Sequence, residues 1–166
     1  MRRMLAVKYD PGLTANILRM ANSAYFGFPG KIASVSQAIA QIGWKRMYHL
    51  VIASAVNALM DRPVAGYDLQ AGELWQEAIA AAISSEVIVR RQRLKSGEEA
   101  FTAGLLRDVG KLIIGDYVDT YYQQIEVAHR KGIAFEDAER EVLGTDHSEV
   151  GAWILEHWSL PKPLVE

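Results

Sequence analysis

Apolar residues return every three or four positions along almost the whole chain, and nowhere do they alternate one in, one out between hairpin signals. Leu13, Ile17, Met20 and Ala24 share one helical face, as do Val35, Ala38, Ile39 and Ile42, and again Phe101, Leu105, Val109 and Leu112. A strand turns each successive side chain to the opposite face, so this periodicity predicts helices. The fold class it implies is all-α, a two-lobe helical bundle. With 166 residues, half of them hydrophobic, the chain has enough apolar surface for one shared core or two small lobes.

Glycines, prolines and capping residues cut the pattern into elements. Asp10 and Pro11 read as an N-cap and first-turn proline, and the helix they open ends near "NSAYFGFPG" (22–30). Ser34 and Gln37 form a capping box, with Gly43 as the stop before a helix over 44–60. "DRPVAGYD" (61–68) is the most loop-like segment, and the lobe boundary is placed there, giving lobes 1–66 and 67–166.

A long helix is expected from Asp68 through "LWQEAIAAAISSEVIVRRQR", its basic end suited to the helix dipole. Ser96 and Glu99 cap the next, "AFTAGLLRDVGKLII", read as one continuous helix. Within it Gly104 and Gly110 each cost about 1 kcal/mol of helix stability, which points to close packing against a neighbour. Further helices are expected over 117–131 and 135–143, stopped by Gly132 and Gly144, and from Asp146 to "EHW" with Glu149 in capping-box position.

Charge and cysteine content exclude several function classes. Eighteen basic residues stand against 20 acidic ones, so no global field draws in nucleic acid or acidic lipid. The absence of cysteine removes disulfides, zinc ribbons and thiol catalysis. "MRRMLAVKYD" has the charges of a signal peptide without its apolar region, and no stretch approaches the roughly 18 apolar residues of a membrane span. A cytoplasmic protein is the expectation.

The motifs "LWQEA", "GLLRDVGKL" and "DHSEVGAWILEHWSLP", in that order, make the chain resemble the HDOD family, signalling relatives of the HD and HD-GYP metal-dependent phosphohydrolases. "DPGLTANILRMANSAYFGFPGKIASVSQAIAQIGWKRMYHLVIASAV" resembles the family's N-terminal signature, so the likeness covers about residues 10–166. It implies an HD-superfamily-like C-terminal lobe. The family pattern also begins earlier and continues past "LPKPLVE", which predicts an apolar face that self-associates or meets a partner.

The resemblance places the first histidine of a catalytic HD cage at Glu77, its His-Asp pair at Arg107-Asp108, and its later histidine at His147. Such a cage needs several lone-pair donors converging on a cation that activates water against a phosphate ester. Asp108 and His147 could serve, and Glu77 could join them. Arg107 opposes this: a guanidinium has donors, no acceptor, and a permanent charge where the metal would sit. Neither metal nor cofactor is expected, and no catalytic residue. Arg107 is expected instead to pair with Glu77 across two helices, and not with Asp108, because adjacent helical residues do not face each other.

The remaining candidates have plainer readings. His147 reads as a helix-start hydrogen-bonding residue, His157 as a helix-end residue, and His49 and His129 carry no signal. "RRQRLK" (90–95) reads as a basic helix terminus, and Trp44, Trp75, Trp153 and Trp158 as core or inter-helix residues. Tyr25, Phe26 and Phe28 read either as a recognition loop or as a buried plug between lobes. The function that follows is a non-enzymatic bacterial signal-transduction module working through protein contacts. Its alternatives are a nucleotide or cyclic-dinucleotide phosphohydrolase using Glu77, Asp108 and His147, and a binding module for an anionic messenger or nucleic acid using Arg107 and the 90–95 cluster.

Overall fold

The computed structural model describes residues 11–94 and 97–165, all helices, turns and loops apart from one isolated bridge. The chain forms two compact units, one up to Ala58 and one from Leu59. Among the described residues no helix is long and apolar enough to cross a membrane.

In the first unit lie α1, Pro11–Ala21, and all but the last two residues of α2, Val35–Met60. Pro11 takes the first helical position, where its missing N–H costs nothing; the expected cap, Asp10, lies outside the described residues. Helix α1 buries Ile17 and Ala21, and Ala24, expected on the same face, is exposed beyond the helix end. Asn22 closes the following loop from both sides, donating to Ile32 O and accepting from Ile32 N, each at 2.8 Å. Ser34 caps the helix as predicted, with Gln37 N donating to Ser34 Oγ at 3.1 Å, while Gln37 Oε1 reaches one residue further back than a capping box requires and accepts from Ala33 N at 2.9 Å. Gly43, at φ +80°, breaks α2 into two helical pieces at the predicted place. Phe26 and Phe28 pack against this unit's own core, with rings stacked 6.2 Å apart, while Tyr25 stays exposed.

In the second unit a 3₁₀ turn, Ala65–Tyr67, is held between paired Val64 and Leu69. Then come α3 (Glu73–Arg91), α4 (Gly97–Leu106), α5 (Lys111–Thr120), α6 (Tyr122–His129), α7 (Phe135–Leu143), α8 (His147–His157) and α9 (Lys162–Val165). Helix α3 starts later than expected because Asp68 caps the 3₁₀ turn in the left-handed region and Gly72 does the same before the helix. The expected cap at Ser96 lies outside the described residues, as does Lys95 of the basic cluster. Gly104 behaves as predicted: a Cβ there would lie 2.9 Å from Ala81 O and Ala82 Cα, so α3 and α4 touch backbone to backbone.

Two expected helices are broken. The 100–114 helix stops at Leu106, turns through 107–110 and restarts at Lys111; the 117–131 helix is split at Tyr121. Periodicity hides the first break because Leu105, Val109 and Ile114 stay buried on both sides of it. A second correction concerns the tryptophans. Trp44, Trp153 and Trp158 are exposed rather than core, and only Trp75 is half-buried.

Candidate functional site

The break after α4 makes the site. Residues 107–110 form a tight turn in which Val109 N bonds Leu106 O and Lys111 N bonds Asp108 O, each at 3.1 Å. Gly110 lies so close to the start of α8 that a Cβ there would be 1.9 Å from His147 O. No other residue fits without moving the backbone. This contact carries Asp108 to the first turn of α8, where its Oδ1 stands 3.8 Å from His147 Nε2.

Helix α8 is capped as predicted by Asp146, whose Oδ1 accepts from Ser148 N at 2.8 Å and Glu149 N at 2.9 Å. Such a cap is worth about 1 kcal/mol. Burial works against the Asp146 charge, yet these amides, with Arg140 at its other oxygen, hold its carboxyl below the ordinary range. Glu149 does not complete the box; it accepts from Thr145 Oγ1 at 2.8 Å.

Behind His147 stands a fully buried carboxylate, Glu139. It accepts three hydrogen bonds: from the Tyr67 hydroxyl at 2.6 Å, from His147 N at 2.9 Å and from His147 Nδ1 at 2.7 Å. On the other side of the ring, Nε2 faces Asp108 and Glu136, each at 3.8 Å. Burial, and then the bond to Glu139, push the Tyr67 phenol far above its usual range, so it remains the donor.

The predicted Arg107–Glu77 bridge does not form. Arg107 donates from Nε at 3.0 Å and Nη2 at 2.5 Å to Oδ2 of its neighbour Asp108. The rule that adjacent residues do not face each other belongs to helices, and this pair lies in a turn. Arg107 is largely exposed, and Glu77 has Lys111 Nζ at 3.9 Å instead. Lys111, nearly buried, also reaches Asp108 Oδ1 at 3.4 Å and lies over the Tyr67 ring, 5.3 Å from its centroid. Burial alone would raise the Asp108 pKa; the Arg107 hydrogen bonds and the charge of Lys111 outweigh it and hold the carboxyl below its usual range. The same bond raises the Arg107 pKa.

Glu77, Arg107, Asp108 and His147 all line one open cavity of about 540 Å³, with Lys111, Glu136 and Ser148 among its other walls. One oxygen of Asp108 is held by Arg107 and the other faces Lys111, and among the described residues no group of three potential ligands converges. The arrangement can hold charge and accept hydrogen bonds.

Three participants escaped the sequence reading. Glu139 has apolar residues three and four positions away on its own helix, Phe135, Val142 and Leu143, and an acid inside such a stripe is the signal for a buried partner. Lys111 lies three residues after Asp108, a spacing that brings side chains together. Tyr67 carried no signal, since only tertiary packing brings it to Glu139. His157 is exposed at the end of α8, and His129 contacts Ile133 O through Nδ1 at 2.8 Å. Arg90 of the basic cluster pairs with Glu86 within α3.

The fold is similar to solved structures. One is an HDOD domain protein of unknown function from Geobacter sulfurreducens, 25% identical with a TM-score of 0.84 over 99% of this chain and 55% of that one. Another, a candidate phosphohydrolase from Shewanella amazonensis SB2B, is 32% identical with a TM-score of 0.80 over 96% of this chain and 55% of that one. An uncharacterized protein of Treponema pallidum (strain Nichols) is 21% identical over 96% of this chain and 31% of its own length. The chain thus spans about half or less of the relatives it matches. The HDOD domain model matches residues 4–166, and the chain belongs to the HDOD domain family.

Proposed function

We propose that this domain is a non-enzymatic regulatory module of bacterial signal transduction, acting through contacts with protein partners, and that its HD-type metal site is degenerate. One observation carries the reading. The carboxylate that a metal would need, Asp108, is committed to two of the protein's own cations, Arg107 at 2.5 Å and Lys111 at 3.4 Å. A dication entering there would have to displace both, and two fixed positive charges oppose it. Exposed apolar side chains such as Trp153, Trp158 and Tyr117 supply surface that a partner, or a second copy, can cover.

A second reading is favoured by the name of the Shewanella relative, a candidate phosphohydrolase. On that reading Asp108, His147 and Glu77 would hold a metal that activates water against a nucleotide phosphodiester. A turnover assay with cyclic dinucleotide and bis(p-nitrophenyl) phosphate, in manganese, magnesium or iron(II), separates the two. The regulatory reading expects no rate above that of Asp108→Asn. Turnover abolished by that substitution would overturn it.

A further inference from the structure

We infer that copies of this chain associate head to tail, the basic aromatic face of α2 in one copy docking on the acidic aromatic face of α8 in the next. Charge is divided unevenly along the sequence. Of the 20 acidic residues only Asp10 precedes Asp61, and residues 11–60 carry Arg19, Lys31, Lys45 and Arg46 with no acid among them. The first unit is therefore a local positive body, while in the second unit acids outnumber bases.

Each unit also presents an exposed aromatic helix face. On α2, Trp44 and Tyr48 lie one turn apart, 57% and 60% exposed, with the exposed Lys45 on their flank. On α8, Trp153 is 58% exposed, and helical spacing puts Glu149 and Glu156 on the same face, both exposed. The hydrogen-bond partner of Glu149, the Thr145 hydroxyl, is neutral and leaves its charge in place.

Local preference does not explain where these charges stand. Gly43 breaks α2, so Lys45 and Arg46 occupy the first turn of its second piece, the end where a helix favours anions. Glu156 occupies the last turn of α8, the end where a helix favours cations. Each opposes its own helix dipole and suits a neighbour of the other sign. Laid together, the two faces cover three exposed aromatic rings and set Lys45 among the α8 carboxylates. Pairing either face with itself sets like charges opposite one another, which favours the heterologous contact over a symmetric one. Nucleic acid or an anionic membrane would meet the basic face but leave the acidic one without a role. The inference does not depend on the regulatory reading, since an enzyme could assemble in the same way, and the turnover assay tests that reading separately.

Sedimentation velocity of the full chain, from about 10 μM to about 1 mM, tests it. A contact between two single helix faces is small, so a Kd on the order of 0.1 mM is expected, with mass continuing to rise past the dimer because every copy added brings a further face of each kind. Trp44→Ser with Tyr48→Ser removes one face, and Trp153→Ser alone removes the other; all three positions are exposed, so the fold is not threatened. Each variant by itself should associate about tenfold more weakly or less. Mixed in equal amounts they should form a one-to-one pair with the wild-type affinity, because each keeps the face the other lacks. Glu156→Lys should weaken association about three- to tenfold while leaving the dilute monomer at least as stable to urea, since the new charge suits the end of α8. A wild-type chain still monomeric at the highest concentration, whatever anion its basic face binds instead, would overturn the inference. So would a mixture that stays monomeric, or a variant that alone associates as the wild type does.

Discussion

The back wall and the rim of the same cavity obey different rules. At the back, Glu139 and His147 are buried, and the bonds among Tyr67, Glu139 and His147 run from 2.6 to 2.9 Å. At the rim, Glu77 and Glu136 are about half exposed and have their nearest basic partners at 3.8 to 3.9 Å. Water can stand in for a lost partner at the rim; at the back nothing can. The wall therefore fixes one geometry for His147, while the rim is free to change its charges without threatening the fold.

The largest effect should come from Glu139→Ala. It leaves the Tyr67 hydroxyl and two His147 N–H groups without their acceptor, and should cost on the order of 3–5 kcal/mol in urea denaturation. A cost below about 1 kcal/mol would erase the difference between wall and rim.

Asp108 joins the two regions, and acid exposes it. Its carboxyl, like that of Asp146, is held below the ordinary value of 3.8 in the folded protein. For a carboxylate with a depressed folded pKa, the stabilisation is fully present above the unfolded value and is lost as pH falls through the folded one. Stability should thus decline below about pH 4. Asp108→Asn should lower stability at neutral pH by about 1–3 kcal/mol and flatten part of that acid decline. An unchanged acid limb in the variant would place the linkage on other groups.

Much of this geometry is legible in sequence, and the failures share a cause. Capping chemistry is local, so the caps Ser34 and Asp146 and the stop at Gly43 read correctly. Gly104 read correctly because a helical glycine has few reasons other than close approach. The turn at 107–110 did not, because burial continued at helical spacing on both sides of it. That one miss carried the next: with Arg107 taken as helical, its partner was sought across the helices and not at the adjacent residue. Glu139 was missed because an acid is usually solvated, and only its apolar neighbours mark it as an exception.

The smallest effects are expected at the rim, and they bear most directly on the claim that the site's cations are committed to Asp108. Because Arg107 is 60% exposed, Arg107→Ala alone should cost about 1 kcal/mol or less after solvent screening. Double-mutant cycles with Arg107→Ala against Asp108→Asn and against Glu77→Gln measure its two candidate partnerships under identical conditions. A coupling of roughly 0.5–1 kcal/mol at 107/108, with none resolved at 77/107, is the predicted result. Coupling at 77/107 with none at 107/108 would contradict it, and would free Asp108 for a metal.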